Sequence, residues 1–144
     1  MFSKIVVALN ELPEPQRALR AAIELAHVCK AELATVSLLG FPPAYTAITV
    51  VVDSKAPDAI WEDRRRIQIE LQDAASRLAI EDGVRSTGSI VEGREVQTIL
   101  QFLKDERADL LAIGLHQHDF YISRPWSSVY DLAQEAPRSV LGVH

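Results

Sequence analysis

The 144 residues of this chain suffice for one ordinary domain, residues 1–144, whose core needs neither disulfides nor metal. With 48% hydrophobic and 24% charged residues the composition is close to the globular average, which excludes a disordered or fibrous chain. The formal net charge of −5 argues against nucleic acid or anionic lipid as partners, because both need clustered Lys and Arg. Cys29 is the single cysteine, so no intramolecular disulfide forms and a reducing compartment fits.

The first two elements are a strand and a helix. Ile5 to Leu9 is a continuous aliphatic run, typical of a strand buried on both faces of a parallel sheet. After Pro13 and Pro15, apolar residues recur at steps of three and four, which predicts a helix with one buried face. The first run is too short for a signal peptide and no stretch is long enough to cross a bilayer, so we expect a cytoplasmic protein without membrane contact.

A second strand is predicted over Leu33 to Leu39, and the Gly40 to Pro43 segment ends it. The run Tyr45 to Val52 that follows is too rich in β-branched residues for an ordinary solvated loop. We favour a flap or short extra strand packed on its own domain. A partner-facing edge or an apolar ligand wall is the alternative.

A long helix is predicted from Asp58 to near Gly83. Its apolar stripe, which we expect to be buried, consists of Ile60, Ile67, Leu71, Ala74 and Leu78. The only basic cluster of the chain, Arg64 to Arg66, is interpreted as part of the solvated face of this helix.

The remaining elements alternate in the same way. We predict a strand over Val84 to Val91, a helix marked by Val96, Ile99, Leu100 and Leu103, and a strand from Asp109 to Gly114. A mixed loop from Leu115 to Trp126 precedes a helix that ends at Pro137, and Ser139 to Val143 forms the last strand. Strict alternation of strands and helices implies an α/β fold, with a parallel sheet covered on both faces.

In such a sheet, ligands bind beyond the carboxyl ends of the strands, where the strand order reverses. If the first and fourth strands flank that point, the crevice is lined by Asn10 with Glu11, and by Gly114 with the loop through Ser128. Glycine at the end of a strand allows a ligand to approach the backbone closely.

Four segments share their order and spacing with one known family: the opening Lys4 to Asn10, the Gly93 turn ahead of Ile99, the Ala108 to Gly114 segment, and the closing Ala136 to Val143. Through them the chain resembles the universal stress protein family over essentially its whole length. The resemblance implies a Rossmann-like, adenine nucleotide alpha hydrolase-like fold, a three-layer structure around an open five-stranded sheet in the order 3-2-1-4-5. It also implies a homodimer built through the last strand, Ser139 to Val143.

The resemblance further implies a candidate nucleotide crevice with an altered loop. ATP-binding members of the family carry an aspartate after the first strand and a loop of the form glycine, two residues, glycine, nine residues, glycine, then serine or threonine. The first glycine and the final hydroxyl match Gly114 and Ser128, whereas Gln117 and Ser127 occupy the two inner glycine positions and Asn10 that of the aspartate. Leu38 falls where the family packs adenine against the second strand.

These differences weaken the binding of two parts of a nucleotide. Phosphate binding is weakened because glycines let backbone N–H groups reach phosphate oxygens. Ribose binding is weakened because a neutral amide is a poorer partner for a ribose hydroxyl than a carboxylate. His116, His118 and Arg124 offer compensating positive charge, against the plainer interpretation of a polar surface loop. A metal site would require Asp119 or a symmetry-related chain to complete the two histidines, and we expect no metal.

We therefore expect a dimeric binding or regulatory module of the stress response that does not bind ATP tightly and that acts on an unidentified protein partner. The alternative is a nucleotide-responsive switch that binds ATP through the crevice. No P-loop, GxGxxG, HExxH or paired-cysteine motif occurs, so we expect no enzymatic activity.

Overall fold

The computed structural model describes residues 1–9, 14–39, 56–115 and 133–144. The Tyr45 to Val52 run, the loop from residue 116 onward and the start of the last predicted helix lie outside these ranges. No helix within the described ranges is both long enough and apolar enough to span a membrane.

The described residues form five strands and three long helices. The strands are β1 (Lys4–Leu9), β2 (Glu32–Leu39), β3 (Ser86–Glu92), β4 (Leu110–Gly114) and β5 (Ser139–Val143). The helices are α1 (Glu14–Cys29), α2 (Ala56–Glu81) and α3 (Glu95–Asp105). Residues 133–135 are also helical, just ahead of Pro137, where the last predicted helix ends.

The sheet has the order β3-β2-β1-β4-β5 and all its pairs are parallel, which confirms the predicted topology. Val7 in the central strand lies opposite Thr35 of β2 and Ala112 of β4. Alternating side chains of each strand face the two sides of the sheet. The helices α1 and α2 cover one side and α3 the other, so the Rossmann-like arrangement of layers is present.

Strand β3 begins two residues later than predicted. Val84 still belongs to the turn that ends α2, because its N–H donates to the carbonyl of Ala79 at 2.9 Å. Its side chain is buried in the core that α1 and α2 share, and this burial explains the apolar pattern. Strand β5 has the predicted bounds.

The buried face of α2 differs from the predicted stripe. Ile67 is 38% exposed and Ala74 is also exposed, whereas Gln68 is 5% and Ala75 only 2% exposed. The helix is therefore rotated by about one residue relative to the prediction. The physical reason is that the underlying strand presents polar side chains, so the amide of Gln72 lies against it and Ile67 does not.

Gln72 makes the central contacts of this polar interface. Its Nε2 donates to Ser37 Oγ at 2.8 Å and to the carbonyl of Ser89 at 3.1 Å, while its Oε1 accepts from Thr35 Oγ1 at 2.5 Å. Both hydroxyl groups belong to almost completely buried residues of β2. The amide reaches them because Gly88 has no side chain, and a Cβ there would collide with Gln72 Oε1.

All three helices end at the amino edge of the sheet in the same turn. Lys30, Gly83 and Arg107 have positive φ angles of 56°, 69° and 54°. The residue after each donates its N–H to the carbonyl five residues earlier, at 2.9 to 3.0 Å, which is the Schellman arrangement. The turns place a buried residue, such as Ala108, at the entrance to the next strand.

Asp109 joins β1 and β4 at this amino edge. Its Oδ2 accepts from the Ser3 amide at 2.8 Å and from Ser3 Oγ at 2.9 Å, and its Oδ1 accepts from the Lys4 amide at 3.1 Å. Burial by itself would raise the pKa of Asp109, but these hydrogen bonds outweigh it and hold the pKa below its usual value.

Lys4 is bound from two sides at the same edge. Its Nζ lies 3.0 Å from a carboxylate oxygen of Glu106 and 3.5 Å from one of Glu32. Burial lowers the pKa of Lys4, but the hydrogen bonds and negative charges of Glu106 and Glu32 outweigh it and raise the pKa above its usual value. The start of the central strand is thus fixed both through its backbone and through its first side chain.

Candidate functional site

The strand order places a crevice at the carboxyl ends of β1 and β4. From β1 the chain proceeds to β2 on one side, and from β4 it proceeds to β5 on the other, so the topology reverses between these two strands. Ligands of open α/β sheets bind at such a point. The predicted location of the site therefore follows from the observed topology.

Gly114 ends β4 at this crevice and is partly exposed. It pairs with Val143 of β5, and the next amide, of Leu115, donates to the carbonyl of Val143 at 2.7 Å. The backbone at Gly114 is thus held firmly by the neighbouring strand. With no side chain, it leaves the end of β4 open to close approach by a ligand.

Leu38 lies on β2, two strands from Gly114, next to Val91 of β3 in the register. Alternation along β2 places Leu38 on the same side of the sheet as Val36, which belongs to the core beneath α3. Leu38 and Ala8 of β1 are only partly buried, whereas most of their strand neighbours are fully buried. They provide a small apolar surface at the carboxyl edge, suited to a flat apolar group.

The other predicted site residues, Asn10, Gln117, Ser127 and Ser128, lie outside the described residues. The structure therefore places two of the six, Leu38 and Gly114, on strands at the same edge of the sheet.

The loop residues His116, His118, Asp119 and Arg124 also lie outside the described ranges. Within those ranges, no three His, Cys, Asp or Glu side chains are grouped so that they could hold a metal ion.

Two open clefts border the described part of the sheet. One, of about 490 Å³, lies between the end of β3 and α3 and is lined by Val91, Glu92, Gln97, Thr98, Gln101, Phe102 and Asp105. It continues the carboxyl edge beyond Leu38, through the paired Val91. The other lies at the amino edge, around Phe2, Asp109 and Arg138, and includes none of the predicted site residues.

The three consecutive arginines of α2 lie near the carboxyl ends of β2 and β3 and differ in their contacts. Arg65 Nη1 lies 3.4 Å from Glu92 Oε1 at the end of β3, and Arg66 Nη2 lies 2.9 Å from Asp63 Oδ1. Arg64 is only partly exposed, and its Nη1 is buried without a hydrogen-bond partner among the described residues. Its guanidinium lies over the Trp61 ring, 6.0 Å from the centroid.

Arg64 is not among the predicted site residues, because three consecutive arginines are typical of a solvated helix face. The spacing of the residue was informative nonetheless. Arg64, Gln68 and Gln72 are separated by four residues each, so they share one side of the helix. Gln72 is hydrogen-bonded to the sheet and Gln68 is buried, and that places Arg64 on the inward side as well.

Comparison with known proteins agrees with this topology. The family model described as the Universal stress protein family matches residues 1–144. A curated relative, Universal stress protein C of Escherichia coli O6:H1, is 27% identical over 122 residues, which cover 83% of this chain and 80% of that protein.

Solved structures show the same fold. A universal stress protein family member from Burkholderia pseudomallei aligns with a TM-score of 0.70 and 26% identity, over 97% of this chain and 94% of that one. A universal stress protein in complex with cAMP aligns with a TM-score of 0.77 and 19% identity, over 99% and 97% of the two chains.

Proposed function

This chain belongs to the universal stress protein family, and on that premise we propose that it is a dimeric binding or regulatory module of the stress response that does not hold ATP tightly. It acts in the cytoplasm through contacts with a protein partner and not as an enzyme. The crevice between β1 and β4 stays empty or takes a small ligand other than ATP.

The observation that carries this proposal is the sequence around the crevice. Of the three glycines that resemblance to ATP-binding members leads us to expect, only Gly114 is present, and Gln117 and Ser127 replace the others. Side chains at these positions hinder the approach of backbone N–H groups to phosphate oxygens. Asn10 lacks the negative charge that makes a strong hydrogen bond to a ribose hydroxyl.

Dimerisation through β5 is part of the same proposal. Within the described residues, β5 pairs only with β4, so its outer backbone groups are available for a second strand. Val140, Leu141 and Val143 are partly exposed there and offer apolar contact area. Light scattering at micromolar concentration should give about twice the 16.0 kDa mass of one chain. A monomer at that concentration would rule out this assembly.

A nucleotide-responsive switch is the second candidate. Two observations favour it: Gly114 and Leu38 lie near the carboxyl ends of their strands, at one edge of the sheet, and a solved universal stress protein structure contains cAMP. Strands in a sheet are about 4.8 Å apart, so these residues, two strands apart, are separated by about 10 Å. That span fits a nucleoside lying across β1.

Calorimetric titration with ATP and magnesium distinguishes the two candidates. We expect no measurable heat from the natural protein and restored binding in the double variant Gln117→Gly, Ser127→Gly. The variant is the internal control, because it shows that the crevice accepts ATP once the side chains are removed. Micromolar binding by the natural protein would overturn the first proposal and establish the switch.

A further inference from the structure

Arg64 differs from its two neighbours in a way that needs an explanation. Arg65 and Arg66 are exposed and face carboxylates, while Arg64 has a buried nitrogen with no hydrogen-bond partner among the described residues. A buried donor without a partner is costly, and a charged one more so. The Trp61 ring, at 6.0 Å, is at the outer limit of a cation–π contact and offsets only part of that cost.

The position of Arg64 along α2 shows where its charged end lies. Gln72 is bound to Ser37, two residues before the end of β2, and Arg64 is eight residues earlier in the helix. Eight residues correspond to about 12 Å of helix, and two residues of strand to about 7 Å. Since α2 runs antiparallel to β2, Arg64 lies just beyond the carboxyl end of that strand.

The direction of the Arg64 side chain carries its guanidinium further beyond the carboxyl end of β2. Side chains of a helix tilt toward its N-terminus, and for α2 that direction leads away from the sheet and over its carboxyl edge. The salt bridge of Arg65 to Glu92, the last residue of β3, confirms that this part of α2 lies at the carboxyl edge of the sheet. Arg64 and Trp61 therefore overhang the carboxyl edge on the side of β2 and β3.

We propose that Arg64, with Trp61 beside it, forms a phosphate-binding subsite at this end of the edge, separate from the crevice between β1 and β4. A guanidinium presents a planar fork of donors that matches a phosphate group bidentately. A phosphate would supply the acceptors that Arg64 lacks, and the indole ring would shield the ion pair from water. The subsite does not depend on whether the crevice binds a nucleotide.

Fluorescence titration with inorganic phosphate tests the subsite. The full chain carrying Trp126→Phe retains Trp61 as its single tryptophan, and sodium chloride at matched ionic strength controls for screening. Phosphate, unlike chloride, should change the Trp61 emission in a saturable way. Arg64→Gln should weaken this binding by about tenfold or more, as expected for loss of a charged hydrogen bond.

Two further variants make the result decisive. Arg66→Gln removes an equal charge from an exposed arginine that faces Asp63 and should leave phosphate binding unchanged. Arg64→Lys keeps the positive charge but loses the planar pair of donors, so this variant should bind phosphate with intermediate affinity. Such binding would also show that substitution at position 64 does not by itself unfold the protein. No response of the Trp126→Phe protein to phosphate, or equal binding by the Arg64→Gln protein, would overturn the proposal.

Titrations with AMP and adenosine identify the source of the phosphate. Tighter binding of AMP than of inorganic phosphate, with no binding of adenosine and loss of AMP binding in Arg64→Gln, would assign the subsite to a nucleotide phosphate. Equal affinities for AMP and inorganic phosphate would assign it to free phosphate. AMP binding that survives in Arg64→Gln, without any phosphate response, would contradict the subsite and leave the nucleotide switch standing.

Discussion

The amino and carboxyl edges of the sheet are held by different kinds of contact. At the amino edge each of the three long helices ends in a hydrogen-bonded turn, the Asp109 carboxylate joins two strands, and Lys4 is bound by two glutamates. At the carboxyl edge Leu38 and Gly114 are partly exposed, and Arg64 has an unpartnered nitrogen among the described residues.

This difference between the two edges indicates that the amino edge serves the stability of the fold and the carboxyl edge serves ligand binding. Groups at the amino edge already have partners in the protein, so removing them should change the free energy of unfolding and leave ligand binding unaffected. Leu38, Gly114 and Arg64 at the carboxyl edge keep exposed surface or an unpartnered nitrogen among the described residues, so changing them should affect binding more than stability.

The largest effect is expected from Gly93→Ala, which is an exception at the carboxyl edge. Gly93 joins β3 to α3 with φ of 145°, a conformation that residues with side chains avoid, and an added Cβ would collide with Thr98 Oγ1. We expect a loss of about 3 kcal/mol in the free energy of unfolding by urea denaturation. Gly83→Ala is the control: its φ is 69° with open space around it, and it should cost only about 1 kcal/mol. Equal losses would show that the collision with Thr98 is unimportant.

Asp109→Ala should have the next largest effect. It removes the acceptor of three hydrogen bonds from Ser3 and Lys4, at a cost of about 2 kcal/mol in the same denaturation experiment. Asp105→Ala is the matched control, because Asp105 is exposed and accepts one bond, from Gln101 four residues earlier. It should change stability by less than about 0.5 kcal/mol. Altered phosphate or nucleotide binding by the Asp109 variant would contradict the division between the edges.

The lowered pKa of Asp109 also predicts a dependence on pH. A carboxyl group with a lower pKa in the folded state stabilises the fold above its unfolded value, about 3.9, and that stability is lost as the pH falls through the folded pKa. The stability difference between the natural protein and Asp109→Asn should be constant near neutral pH and shrink in acid, below about pH 4. Denaturation curves measured between neutrality and strong acid would show this, and a difference that stays constant throughout would contradict it.

The smallest effect, a gain, is expected from Arg107→Gly. Arg107 has a positive φ at the end of α3, where Gly83 occupies the same place after α2. Glycine adopts this conformation without strain, so the variant should be more stable by about 0.5 kcal/mol, after allowance for its greater freedom when unfolded. Thermal denaturation should show a slightly higher midpoint. A lower midpoint would mean that the arginine side chain contributes contacts that outweigh the strain.

Most elements of the fold could be predicted from the sequence because their patterns are unambiguous. The aliphatic runs of β1 and β4 and the helical spacing in α1 and α3 each allow one interpretation. The strand order came from the family resemblance, since alternation alone does not fix it. The face of α2 was predicted wrongly because Ile67 and Ala74 follow the expected period, whereas the helix buries Gln68 and Ala75, one position further along. Buried amides cannot be recognised until their hydrogen-bond partners on the neighbouring strand are known.

The site could be predicted only in part. Topology alone places Gly114 at the crevice and Leu38 on the strand beyond it. Asn10, Gln117, Ser127 and Ser128 remain predictions, since they lie outside the described residues. Arg64 was not predicted as a site residue because a charged side chain next to two others is normally solvated. Its four-residue spacing from Gln68 and Gln72 becomes informative only once those two glutamines are known to face inward.

The contact between Gln72 and Gly88 also limits how this sequence can diverge. Any side chain at position 88 would occupy the space that the amide of Gln72 needs to reach β2. A side chain at position 88 therefore favours a change at position 72, because the Gln72 amide would have to move away from β2. Relatives with a larger residue at position 88 should carry a shorter one at position 72, and apolar residues in place of Thr35 and Ser37.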